Sequence, residues 1–110
     1  MEKAAAQLKN IDFELLIAGE TPVLLDFYAD WCEPCVMLEE ILSELESRMQ
    51  QGLRIIKVDI DEQPDLVSRF GFRSVPWLLL YNNSQEVWRM HGFMMAPDLE
   101  RIVKEHCKVG

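Results

Sequence analysis

Two nearly continuous apolar runs, "PVLLDFYA" at residues 22–29 and "LRIIKVDI" at residues 53–60, constrain the fold of this chain more than any other feature. Both are rich in β-forming residues and lack the alternation of a half-solvated strand, which is the pattern of strands covered on both faces. Between them Cys35, Leu38, Ile41, Leu42, Leu45 and Met49 recur at helical spacing, while Glu39, Glu40, Glu44 and Glu46 fill the other face. Strand, helix, strand predicts a right-handed βαβ unit inside an α/β domain. The acid-rich face of the helix is expected to be solvated.

The remaining segments continue the alternation. "EQPDLVSRFG" predicts a short helix with Pro64 near its start, Gly71 as its stop, and Leu66, Val67 and Phe70 turned to the core. "PWLLLYN" and "EVWRMHG" predict a β-hairpin around "NNSQ", with Asn82 and Asn83 suited to left-handed backbone. "APDLERIVKEHC" predicts a closing helix with Leu99, Ile102, Val103 and His106 along one stripe. At the start, "NIDFELLIAG" is expected to be helical up to Gly19, and "EKAAAQL", too rich in Ala for an edge strand, to extend that helix. With 110 residues and no repeats or linkers, residues 1–110 are read as one domain.

Composition narrows the functional classes. A net charge of −8, from 19 acids against 11 bases with no Lys/Arg cluster, opposes a phosphate backbone and argues against nucleic-acid binding. No apolar run approaches the ~20 residues of a membrane span, and "MEKAAAQLKN" lacks the apolar core of a secretion signal, so no membrane role and a cytoplasmic location are expected. Three cysteines are too few, and odd in number, for a disulfide framework. The fold must stand on its core, which frees the cysteines for chemistry.

Two of them sit in "DWCEPCVM", where a buried strand ends and a helix begins, the place at which α/β sheets collect functional groups. Redox pair, half of a metal site and two core thiols are the readings to weigh. Zinc needs four ligands, and beyond the pair there are only Cys107, His91 and His106, far along the chain, so no metal is expected. At a helix N-terminus, free N–H groups favour thiolate at Cys32, which becomes the attacking sulfur. Cys35, one turn further in and more buried, can reach back to resolve a mixed disulfide, and Pro34 stiffens the loop between them. Asp26 lies inside an apolar strand, where burial should raise its pKa, and Lys57 in the neighbouring run is the candidate to pair with it. Pro76 opens a strand, where a cis bond after Val75 would leave the Val75 backbone free for a peptide. Cys107 is expected to be a half-buried structural thiol.

Together these residues resemble the thioredoxin family. "WCEPC" resembles that family's WCGPC, and Asp26, Lys57, the Val75–Pro76 pair and Gly92 stand where the family keeps its buried carboxylate, its partnering lysine, its cis-proline and its groove glycine. The resemblance runs from about residue 11 to the C-terminus. It implies a thioredoxin fold, a central mixed β-sheet flanked by helices, and thiol-disulfide exchange through a redox-active disulfide with no further cofactor. It also implies protein disulfide substrates docking against Trp31, Val75, Pro76 and Gly92, a thioredoxin reductase as electron donor, and action as a monomer. Protein disulfide reductase is the function expected; a disulfide oxidant or isomerase for exported proteins, and a binding or scaffold module on the same fold, are the alternatives.

Several positions depart from the family pattern. Glu33 replaces the glycine of the motif and Val36 a common lysine, so the potential near Cys32 is more negative and its thiolate less stabilised. A less stable thiolate favours the disulfide, which makes the dithiol a stronger reductant. Trp77 replaces the usual threonine and either enters the core or enlarges the docking surface. The helix-kinking proline expected near Glu40 is absent, and Tyr28 stands in place of a common tryptophan. Met90, Met94 and Met95 around Gly92 either fill the core or form a soft apolar rim.

Overall fold

Every residue of β2 (Val23–Tyr28) is buried, as its unbroken apolar run requires. In the computed structural model, which describes residues 1–4 and 9–107, β2 lies at the centre of a five-stranded sheet. The other strands are β1 (Glu2–Lys3), β3 (Arg54–Asp59), β4 (Trp77–Asn82) and β5 (Gln85–His91), in the spatial order β1-β3-β2-β4-β5. β3 runs parallel to β2 and to β1, whereas β4 is antiparallel to both β2 and β5. The sheet is therefore mixed, as the resemblance implies.

Alternation along the strands sends side chains to two cores. On one face Leu24, Ile55, Leu78 and Leu80 pack with α2 (Glu33–Met49) and α4 (Ala96–His106) through Leu38, Leu42, Leu45, Leu99 and Val103. On the other, Leu25, Phe27, Ile56, Val58 and Leu79 pack with Phe13 of α1 (Asn10–Leu16) and Leu66 of α3 (Pro64–Phe70). The buried stripe of α2 is Cys35, Leu38, Ile41, Leu42, Leu45 and Met49, the residues its periodicity predicts. With no internal proline after its first turn, α2 runs as one uninterrupted helix.

Four local expectations are corrected. Glu2 and Lys3 form an edge strand opposite Ile56 and Lys57 instead of extending a helix; the remainder of the Ala-rich expectation, residues 5–8, lies outside the described residues. α1 stops at Leu16, before Gly19. The hairpin turns on Asn83 (φ 52°) and Ser84 (φ 65°), while Asn82 closes β4 and its side chain donates to the Glu20 carbonyl. His106 is exposed at the end of α4, its ring nitrogen 2.9 Å from the Ile102 carbonyl, because the buried line of the helix runs through Leu99 and Val103 to Cys107 and leaves His106 beside it.

Candidate functional site

The site lies at one end of the sheet, where the C-terminal ends of β2, β3 and β5 meet the start of β4. Cys32 is the N-cap of α2 in extended conformation, and its sulfur accepts the Cys35 backbone N–H at 3.2 Å. That bond satisfies a helix N–H that has no intrahelical partner. Pro34 falls in the first turn, where a missing N–H costs nothing. Cys32 and Cys35 are joined in a disulfide with their Cα atoms 5.3 Å apart. Cys32, the residue expected to attack, is 6% exposed and Cys35 2%.

Three further segments close around Cys32. Trp31 is 67% exposed and is held by its indole N–H, which donates to Asp61 Oδ2 at 3.0 Å. Asp61, beyond the end of β3, is fixed in turn by its backbone N–H donating to Asp59 Oδ1 at 2.9 Å. The Val75–Pro76 peptide is cis, and the Val75 carbonyl oxygen lies 3.7 Å from Cys32 Sγ. Gly92, at φ 114°, donates its N–H to the Pro76 carbonyl at 2.9 Å, a backbone conformation that side chains rarely adopt. Val75 thus meets the Cys32 sulfur directly, Trp31 and Pro76 are the chain neighbours of these two residues, and Gly92 is tied to Pro76. Glu33, Val36 and Met37 present an exposed edge of α2 beside them.

Asp26 is fully buried on the sheet face that carries α2, and neither carboxyl oxygen has a hydrogen-bond partner among the described residues. Loss of solvent raises its pKa to about 7, with the Lys57 charge opposing the shift and Glu39 adding to it. Lys57 is the register partner of Asp26 across β2 and β3, but the expected pairing does not form. Its ammonium turns instead to the Glu39 carboxylate and lies 4.3 Å above the Tyr28 ring. Glu39 is therefore not the simply solvated acid its helix face predicts, because β3 brings a cation under that face.

The other singled-out residues divide between core and rim. Trp77 is half-buried, stacked between Phe72 and His91, and packs against the second core. Met94 packs against the first core, whereas Met95 is 60% exposed. His91 also meets Ser74 Oγ at 2.9 Å. Cys107 is buried with Leu99 and Val103 rather than half-buried, and burial pushes its thiol pKa up. Asp61 and Glu39 are the residues that sequence reasoning missed. Asp61 stands in the acidic run "DIDE" directly after a strand that borders the site, the one signal that could have marked it.

Among the described residues no group of three or more His, Cys, Asp or Glu is arranged to hold a metal ion, and no helix is long and apolar enough to cross a membrane. Comparison with known proteins matches residues 4–105 to the Thioredoxin family. The chain is 32% identical to Thioredoxin 1 of Nostoc sp. over 94% of its own length and 97% of that protein. It is 34% identical to the thioredoxin of Haemophilus influenzae over 90% of its length and 94% of that protein. Among solved structures, a mutant thioredoxin from Halobacterium salinarum NRC-1 superposes with a TM-score of 0.81 at 30% identity, covering 99% of this chain and 94% of that one.

Proposed function

The chain belongs to the thioredoxin family, whose members exchange thiols and disulfides through their own cysteine pair, and from that premise we propose that it acts as a protein disulfide reductase. The observation that carries the reading is the Cys32–Cys35 disulfide at the start of α2, with the sulfur of Cys32, the less buried residue, taking the backbone N–H of Cys35. In the reduced protein the same N–H and the helix terminus favour thiolate at Cys32.

Cys32 thiolate attacks one sulfur of a protein disulfide, forming a mixed disulfide and expelling the first substrate thiolate. Cys35 then gives up its proton and attacks Cys32 Sγ, breaking the mixed disulfide, releasing the second substrate thiolate and forming the bond present here. Two electrons pass from the dithiol to the substrate. Asp26, with a pKa near neutrality, is suited to take the Cys35 proton. Trp31, Val75, Pro76 and Gly92 supply the surface on which the substrate backbone docks. Glu33 adds negative charge beside Cys32, Pro34 stiffens the turn, and both tune the pair toward the reductant.

Residues 1–110 act in this reading as one domain and a monomer. A thioredoxin reductase restores the dithiol, and the cytoplasm, where such donors keep thiols reduced, is the compartment that suits it. The intact cysteine pair, together with a buried acid beside it, weighs against a scaffold that has lost its chemistry. Dithiothreitol-driven reduction of insulin tests the reading. The wild-type chain is expected to be active, Cys32→Ser inactive, and Cys35→Ser to accumulate a mixed disulfide with substrate. A wild-type chain no faster than dithiothreitol alone sinks it.

A further inference from the structure

We propose that Glu39 is a positioning residue for the dithiol chemistry: it holds the Lys57 ammonium at the edge of the site and away from Asp26, leaving the buried carboxyl without a counterion. The proposal rests on the reductase reading above for its chemical consequence, though not for its geometry.

The geometry begins with register. Asp26 and Lys57 are opposite one another on parallel neighbours, and both belong to the strand positions whose side chains face α2. A lysine so placed would ordinarily turn to the carboxylate beside it, since an unpaired buried acid is costly. Here a second carboxylate competes. Glu39 reaches down from α2, with its side chain 49% exposed, and takes Nζ in an ion pair that leaves Lys57 only 15% exposed. The Tyr28 ring, 4.3 Å from the same ammonium, adds a second attraction. At Glu39 the charge is half solvated and inexpensive to keep, whereas at Asp26 the carboxylate would have to ionise with no water at all. Lys57 is therefore held where an acid is already charged.

The remaining groups that face Asp26 do not replace the missing cation. β4 presents the apolar Leu78 as register partner, and α2 presents the cysteine pair and Leu38. On β3, Asp59 is buried with its Oδ1 engaged by the Asp61 N–H; on β2, the Tyr28 ring lies against the Lys57 ammonium; and Lys3 of β1 lies 5.8 Å from the Tyr28 ring. Glu39 and Lys57 are thus the two charges whose arrangement sets the state of Asp26.

The consequence concerns the resolving step. There Cys35 Sγ–H loses its proton to the Asp26 carboxylate, Cys35 Sγ bonds to Cys32 Sγ, and the substrate sulfur leaves with the electron pair of the mixed disulfide. A carboxylate neutralised by Lys57 is a poorer base for that proton. Replacing Glu39 by Gln frees the ammonium to swing to Asp26 and removes a negative charge, and both changes favour ionised Asp26.

The test is a carbon-13 NMR titration of the Asp26 carboxyl in the full oxidised chain, for wild type, Glu39→Gln, Lys57→Met and the double variant. Glu39→Gln is expected to lower the Asp26 midpoint by about one pH unit, and by less than half as much in the Lys57→Met background. An unmoved midpoint, or an equal shift in both backgrounds, overturns the proposal. A single-turnover pH profile of mixed-disulfide resolution is expected to move to lower pH by the same amount in Glu39→Gln. A moved midpoint with an unmoved rate profile also overturns it. Failure of the reductase reading shows separately, as absence of insulin reduction by the wild-type chain, and leaves the titration result standing.

Discussion

Trp77 lies flat on Phe72, with ring centroids 4.6 Å apart and planes 10° from parallel, and carries His91 on its other face at the same separation. The column continues to Phe70, stacked on Phe72 at 5.3 Å, and so ties the start of β4 to α3. Trp77→Thr, which restores the residue usual in the family, removes the middle of this column. It is expected to cost about 2 kcal/mol, less than for a fully buried tryptophan because one edge is already solvated. Denaturant unfolding at neutral pH measures it, and an unchanged midpoint would show that the stack contributes nothing.

Asp26 makes stability depend on pH in a defined direction. Its pKa in the folded chain, about 7, lies above the 3.8 of an ordinary aspartate, so the native state binds the proton more tightly than the unfolded one. The stability this confers is full below the unfolded value, falls as pH rises, and is lost once pH passes the folded value. Between about pH 5 and about pH 8 the wild-type chain should lose on the order of 3 kcal/mol from this group, and Asp26→Asn should lose none of it. Unfolding free energies for the two proteins across that range decide the matter. Parallel curves would show that Asp26 is already ionised in the fold.

Cys107 is buried in the core between the sheet and α4, and burial raises its pKa. A thiol that is both shielded and protonated reacts slowly. Oxidised native protein is expected to give almost no fast reaction with Ellman's reagent and one thiol per chain in guanidinium. A fast thiol in the native protein would mean that the end of α4 opens readily.

Glu33 and Val36 both lie exposed on the first turn of α2, beside Cys32. The variant Glu33→Gly, Val36→Lys brings the site to the family pattern, stabilises the Cys32 thiolate and makes the couple more oxidising. Charges at a helix N-terminus contribute roughly 0.3–1 kcal/mol each, which corresponds to a rise of roughly 5–20 mV per substitution. Glutathione redox titration reads the shift; a fall in potential would reverse the role assigned to both residues.

Trp31 is oriented by one hydrogen bond, to Asp61, with its ring largely in solvent. Asp61→Ala should leave global stability within about 0.5 kcal/mol while slowing insulin reduction several-fold, because an unheld indole must be ordered again on docking. Equal rates in the two proteins would remove Asp61 from the docking surface.

The parts of this molecule legible in its sequence are those fixed by long, periodic burial. β2, β3 and α2 each carry a run that only one environment suits, and the stripe on α2 matches its buried residues. The positions of Cys32, Cys35 and Asp26 follow, because they sit within or directly beside those runs. β1 was not legible: two exposed residues hold no pattern, and Glu2 and Lys3 are placed by their pairing with β3. His106 falls at helical spacing from Ile102 and Val103, but the buried line passes from Val103 to Cys107 and leaves it exposed, so periodicity alone misplaces it. The partner of Lys57 was hidden for a different reason. Asp26 is adjacent in register and Glu39 is not, and the choice between them turns on which acid keeps its water.

The sheet has two edges, and their construction bears on what happens when such chains are crowded together. An unpaired strand edge is a template for further strands. At one edge β1 is only two residues long and carries Glu2 and Lys3, so an incoming strand finds a short charged stub. At the other, β5 is seven residues long, but a register irregularity at Leu80/Tyr81 bends its pairing with β4, and Arg89 and Glu86 pair through two contacts of 2.7 Å. A stub on one side and an irregular, ion-paired strand on the other oppose edge-to-edge association in a chain that is nearly half apolar in composition.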